Sequence, residues 1–325
     1  MKIRKLVNIL LIAVFSFILC GASNIAAAET NWPTRPVSII VPFIPGGDSD
    51  FHARLHARFL ETELGQPFII VNVAGAGGTI GATQVSVAAP DGYTVLFYQT
   101  GALFTNKLVE STDLDHNSFA ISCIAMYDET NVIVAGVDAG FADAADFLER
   151  VRANPYRYSV ATTIPGFSFY TVIRMQTAGN FRLNIVDVGG AGAMVPSLLG
   201  NHTELAANAY GVFRQHIENG TIIPLMTSAE RRNPNFPDVP TMKEMGLEDA
   251  QAPRAGFFAF PLGTDPVILQ RLADAVRVVH QNPEYIRELR ESFSMEPFFL
   301  DTPYVQEFLD DMWVDMARFR DYLNQ

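Results

Sequence analysis

The feature that most limits the fold is an alternation of short β-branched runs with stretches of helical periodicity. Strands are expected at Val37–Val41, Phe68–Val71, Thr94–Tyr98, Val132–Ala135, Tyr158–Ala161, Ile185–Val188, Ile222–Met226 and Gly256–Phe260. The first helical stretch between them carries Phe51, Leu55, Phe59 and Leu60 on one face. Such alternation predicts an α/β architecture with largely parallel sheets. The tail differs: Pro266, Pro283 and Pro303 each stand where a first helical turn tolerates proline. They predict three helices, the first reaching His280 and the last about Leu323. With no low-complexity linker and no internal repeat, two lobes are expected to be joined by crossing strands, not by a tether.

The amino terminus reads as a secretory signal. Lys2, Arg4 and Lys5 precede the apolar run Leu6 to Ala22, and Ala26-Ala27-Ala28 offers a small-residue cleavage site. An uncleaved anchor is the second reading of that run, and a lipoprotein reading of Cys20 is weakened by Leu19. With cleavage after Ala28 the mature chain has about 297 residues, enough for two lobes with cores of their own. Loss of the three leader cations moves the formal charge from −12 to about −15, which argues against nucleic acid or anionic membranes as partners. Only Cys123 then remains, so no intramolecular disulfide is available, and a small buried apolar role is expected for it.

Two glycine stretches carry the chemistry. "VPFIPGGDSD" runs from the first strand into Gly46, Gly47, Asp48 and Ser49 at the head of a helix. "VNVAGAGGTIGA" follows the second strand with Gly75, Ala76, Gly77 and Gly78. Both loops fall after a strand and before a helix, at the sheet edge where open α/β folds bind ligands. Free backbone amides there, with the positive helix end, favour a carboxylate or phosphate. Two such loops could grip one carboxylate without any Lys or Arg; tight turns alone would also account for the glycines. Arg35, Arg54 and Arg58 are the candidate cations near these loops. Ser49 or Asp50 could cap the helix. Asp48 either points to solvent or accepts a hydrogen bond from a ligand hydroxyl or ammonium.

Other chemistries fit less well. Read from Gly75, the G-x-G-x-x-G template would need glycine where Ile80 stands, and there is no P-loop, so no nucleotide cofactor is expected. Gly47-Asp48-Ser49 mimics the Gly-Asp-Ser of secreted esterases. The last histidine, however, is His280, with no acid three residues before it, and no G-x-S-x-G elbow exists. Asp48, His52 and His56 share one helical face with ligand-like spacing; a solvated polar face opposite Phe51, Leu55 and Phe59 is the expected reading, and no metal.

The stretch "WPTRPVSIIVPFIPGGDSDFHAR" resembles the signature of Bug-type periplasmic receptors, the solute-binding subunits of tripartite tricarboxylate transporters. The match rests on Trp32, Pro33, Arg35, Pro36, Val41, Pro42, Phe43, Gly46, Gly47, Asp50, Ala53 and Arg54. It continues through "AAPDGYTVLF", "IIPLMTSAERRNPNFPDVPTMKEMG" and "PLGTDPVILQRL". The resemblance implies an α/β, two-lobed periplasmic-binding-protein (Venus-flytrap) fold, each lobe a mostly parallel sheet flanked by helices. Lobe 1 would span 29–130 plus 253–325, lobe 2 would span 131–252, and 1–28 would be the signal peptide. A small organic acid would be held by Gly46, Gly47, Asp48, Ser49 and Gly75 to Gly78. The second lobe would add Thr162, Thr163 and Ser168, and Gly190 and Ala191 from the turn at Gly189 to Ala193. The loaded receptor, a periplasmic monomer without catalysis or cofactor, would dock on the transporter's membrane subunits. A sensor feeding a signalling partner would use the same lobes. Two departures stand out: Asp48 replaces a small or apolar residue, and "ATTIPGFSFYTV" replaces a glycine-rich loop with a bulkier, more aromatic wall.

Overall fold

Ten strands divide between two five-stranded sheets in the computed structural model, which describes residues 31–324; the leader reading lies outside these residues. The first sheet has the order β2-β1-β3-β10-β4, built from β1 (Val37–Val41), β2 (Phe68–Asn72), β3 (Thr94–Gln99), β4 (Ala120–Asp128) and β10 (Arg254–Phe260). The second has the order β7-β6-β8-β5-β9. It holds β5 (Asn131–Gly136), β6 (Ser159–Thr162), β7 (Asn184–Asp187), β8 (Leu205–Ala209) and β9 (Ile222–Thr227). The chain crosses between the sheets after Asp128 and again before Arg254.

As expected of mostly parallel sheets, four of the five strands in each sheet run the same way, and one runs against them. Each sheet has two parallel and two antiparallel pairings, because β10 runs against β3 and β4, and β5 runs against β8 and β9. The cause is the crossing itself. The parallel strands end at the edge facing the other sheet, so a strand arriving from that sheet starts where they end and runs the opposite way. Strands β4 and β8 were not anticipated. The sequence of β8, Leu205-Ala-Ala-Asn-Ala209, has no β-branched residue and is a strand because it is buried throughout in mid-sheet.

Helices flank both sheets. Helix α1 (Asp48–Leu64) follows β1, α2 (Thr79–Ser86) follows β2, and α3 (Thr100–Leu108) follows β3. In the second half, α4 (Ala144–Ala153), α5 (Phe167–Gly179), α6 (Met194–Leu199) and α7 (Tyr210–Glu218) alternate with strands. The tail supplies α8 (Pro266–Val279), α9 (Pro283–Phe293) and α10 (Thr302–Ala317), and a turn separates α10 from the short α11 (Arg320–Leu323), so the third tail helix stops earlier than expected. Asp265, Asn282 and Asp301 cap α8, α9 and α10 with their side chains, and Asp143 caps α4.

The face of α1 bearing His52 and His56 is not solvated. His52 is 1% and His56 0% exposed, because α1 is covered on that side by α8, α9 and the sheet. The His56 ring lies 5.3 Å from Phe258 and its Nε2 is 2.9 Å from His280 Nε2, with Tyr285 Oη at 3.0 Å. Asp48, at the start of the same helix, is engaged with a different partner described below. Among the described residues no group of three or more His, Cys, Asp or Glu is arranged to hold a metal ion.

Candidate functional site

A cavity of about 400 Å³ lies between the strand ends of the two sheets. The loop after β1, the Gly75–Gly78 loop and the end of β3 form one side, and the loops after β6 and β7 form the other. The two sides touch around it. A Cβ placed on Gly47 would lie 3.8 Å from Ala191 Cβ, one on Gly77 would lie 2.7 Å from Pro165 O, and one on Gly101 would strike the Phe167 ring.

Four helical segments begin at this cavity, and each is headed by glycine. Gly47 precedes α1, Gly75 precedes the short turn Ala76–Gly78, Gly166 precedes α5, and Gly190 precedes the turn Ala191–Ala193. None of the four has a side-chain cap. The contrast with the Asp and Asn caps elsewhere is physical. A capping side chain would occupy first-turn amides, and at these four ends no N-cap side chain does so, although the Asp48 carboxylate accepts from Ser49 N–H. Neither Ser49 nor Asp50 caps α1 from the N-cap position. The Asp50 carboxylate instead accepts from Gly46 N–H at 3.0 Å, Arg54 Nε at 2.9 Å and Asn72 Nδ2 at 2.9 Å, which fixes the Pro-Gly-Gly turn to β2. In the second loop Ala76, Gly77 and Gly78 all have positive φ, and Tyr98 Oη and Asn106 Nδ2 both donate to Gly77 O.

The residues expected to form the site are largely brought together. Gly47, Asp48, Ser49, Gly75, Ala76, Gly77, Gly78, Thr163, Ser168, Gly190 and Ala191 line the cavity, whereas Gly46 and Thr162 do not. Gly46 turns away as part of the tie to Asp50. Thr162 is the last residue of β6 and fully buried, with a hydroxyl that finds no partner. The Ser168 hydroxyl accepts from Thr163 N–H at 2.9 Å and shapes the loop.

Neither expectation for Asp48 describes its surroundings. It is 7% exposed, and its Oδ2 is 2.6 Å from Arg254 Nη1 and 3.1 Å from Gln99 Nε2. Arg254, 2% exposed, also holds Asp128 Oδ2 through Nε at 2.9 Å and Nη2 at 2.7 Å, and donates to Gln99 Oε1 at 2.9 Å. Burial works against ionisation of Asp48, but the Arg254 charge and the Gln99 amide outweigh it and hold the carboxyl below its ordinary value of 3.8. Burial likewise works against the Arg254 cation, and the two carboxylates keep it charged.

Arg254 is the cation that sequence reasoning missed. Arg35 pairs with Asp91, Arg54 with Asp50 and Arg58 with Glu288, and none of the three lines the cavity. The signal for Arg254 was present as a lone cation at the head of the apolar run "RAGFFAF". Gln99, Asp187 and Asn208 also line the cavity without having been anticipated. Apolar walls come from Phe43, Ile44, Ala102, Ile164 and Phe167, the last with its ring 5.0 Å from the Arg254 guanidinium. The hydroxyl of Ser49 accepts from Gln99 Nε2 at 2.9 Å, a neighbour that cannot serve as a base.

The sequence family described as tripartite tricarboxylate transporter family receptor matches residues 52–319. Protein BugT of Bordetella pertussis is 29% identical over 263 residues, covering 80% of this chain and 81% of its own. Among solved structures, an R. palustris protein with adipate superposes with a TM-score of 0.83 at 26% identity, over 90% of this chain and 97% of the other. The periplasmic binding protein BugD gives 0.79 at 26% identity, over 90% and 98%. These neighbours share the two-lobed fold, and the match to the receptor family spans most of the sequence: this chain belongs to the tripartite tricarboxylate transporter receptor family.

Proposed function

We propose that the protein is an exported receptor that binds a small organic acid between its lobes and hands it to the membrane subunits of a tripartite transporter. The lobes are taken as 29–130 plus 253–325 and 131–252, with 1–28 removed as a signal peptide and the mature receptor acting as a monomer. One observation carries the reading: four glycine-headed, uncapped amide ends converge on a single cavity. Amides so placed donate hydrogen bonds to an anion at no cost in desolvated cations. The one guanidinium in the lining is already shared by two carboxylates, so the ligand's acid group is held by main chain. Gly47, Ala76, Gly77 and Gly190 are the positions whose amides do this. The R. palustris relative solved with adipate supports a carboxylate as the anion. Catalysis forms no part of the proposal, since Ser49 has an amide and not a base beside it.

Native mass spectrometry of protein purified without refolding tests this directly. A bound small acid, displaced by excess free carboxylate in calorimetry, is the expected result. A protein that titrates with no carboxylate, or that turns over an ester in a Ser49-dependent manner, would overturn it.

A further inference from the structure

The charged side chains lining the cavity are Asp48, Asp187 and Arg254, two carboxylates against one guanidinium. Arg254 has no charge to spare, since Asp48 lies at 2.6 Å and the buried Asp128 at 2.7 Å. Asp187 stands on the opposite side, at the end of β7. Its Oδ1 accepts from Gly189 N–H at 2.9 Å and Ile164 N–H at 3.2 Å, and among the described residues no Lys, Arg or His pairs with it. The lining therefore holds one open carboxylate and no open cation.

That imbalance bears on what can enter. The amide ends of α1 and α5 favour one carboxylate. A second carboxylate on the same ligand would share a space of about 400 Å³ with Asp187, an exposed residue of the lining, where the apolar walls are Phe43, Ile44, Ala102, Ile164 and Phe167. Over the few ångströms such a space allows, like charges repel even beside solvent, so a dianion is opposed there and a cation is drawn in. We infer that the ligand is an amino acid, its carboxylate on the glycine-headed amide ends and its ammonium paired with Asp187. This rests on the carboxylate-receptor reading above and narrows its ligand to a zwitterion.

The test is calorimetry on the full mature protein, freed of any carried ligand. Straight-chain dicarboxylates from malonate to adipate are each compared with the α-amino acid of the same length and with the ω-amino acid in which an ammonium replaces one carboxylate. At least one amino acid is expected to bind about tenfold or more tightly than its matched dicarboxylate. Asp187→Asn, which keeps the Oδ1 acceptor, should remove that advantage while leaving the melting temperature in place. Dicarboxylates binding as well as every amino acid would overturn the zwitterion and leave the carboxylate reading standing. Equal amino-acid affinity in Asp187→Asn would overturn the pairing. Binding of none of these acids would overturn both.

Discussion

Arg254 and Asp48 stand 2.6 Å apart in the cavity wall, and the same guanidinium holds Asp128 at 2.7 Å. Asp128 is the last residue of β4, where the chain leaves the first sheet, and Arg254 is the first of β10, where it returns. Asp48 opens α1, whose amide end faces the cavity. One buried cation thus ties both crossings to the loop that lines the cavity.

Removing that cation should be costly. Arg254→Leu leaves Asp48 and Asp128 buried without a counter-charge, and a loss of about 3–5 kcal/mol in urea unfolding is expected. Adding Asp48→Asn and Asp128→Asn to the same chain should recover part of the loss, because the stranded charges are then gone. A loss under about 1 kcal/mol for Arg254→Leu would show that the network contributes little.

The glycine loops separate binding from folding. Gly47 has φ −85°, open to any residue, and an added Cβ meets nothing closer than 3.8 Å. Gly47→Val should keep its stability within about 0.5 kcal/mol and weaken carboxylate binding about tenfold or more, the scale of one charge-assisted hydrogen bond. Gly78→Val should behave differently, since φ is +96° and the new Cβ would sit 2.7 Å from Tyr98 Oη. A loss of about 1–3 kcal/mol is expected there. Calorimetry and thermal melts on the two variants check the contrast.

Acid should weaken the fold through its buried histidines. Burial pushes His52 down to about 4 and His280 to about 3, and holds His56 well below 6.5. In the unfolded chain each takes a proton near 6.5, so the folded state loses ground as pH falls from 6.5 toward 4, by about 1.4 kcal/mol per pH unit for each histidine kept neutral. Above 6.5 the contribution is complete. Neither ring nitrogen of His52 has a hydrogen-bond partner, so His52→Leu should fold and show a shallower decline between about pH 6.5 and about pH 5. Unfolding curves across that range measure the slope, and an unchanged slope would refute the assignment.

The thiol of Cys123 should be silent in the native protein. It is fully buried in β4, and burial pushes its pKa up to about 12. A thiol reagent should label it only at the rate of global unfolding. Fast labelling under native conditions would mean that β4 and β10 part locally.

Local signals made part of this molecule legible. β1 and β3 are apolar runs bounded by proline and glycine, and the two glycine loops advertise themselves because glycine at a strand–helix junction is chemically specific. The Arg254 network was not legible, because its members lie 126 and 155 residues apart and meet only through strand order. Strand β8 was missed because alanine carries little preference for a strand and burial alone decides its state. The histidine face of α1 was misread for a related reason. Helical spacing says which residues share a face, but the coverage of that face by α8 and α9 comes from chain far downstream.

A cavity ringed by glycine-headed, uncapped helix ends has an evolutionary consequence. Every residue except proline donates an amide, so exchanges of side chain along α1 and α5, beyond the glycines that head them, leave the donors in place. Mutation changes the cavity's shape at Phe43, Ile44, Ile164 and Phe167, and its charge at Asp48 and Asp187. Descendants of such a chain can trade one acid for another by small steps without first surrendering the hold on acids as a class.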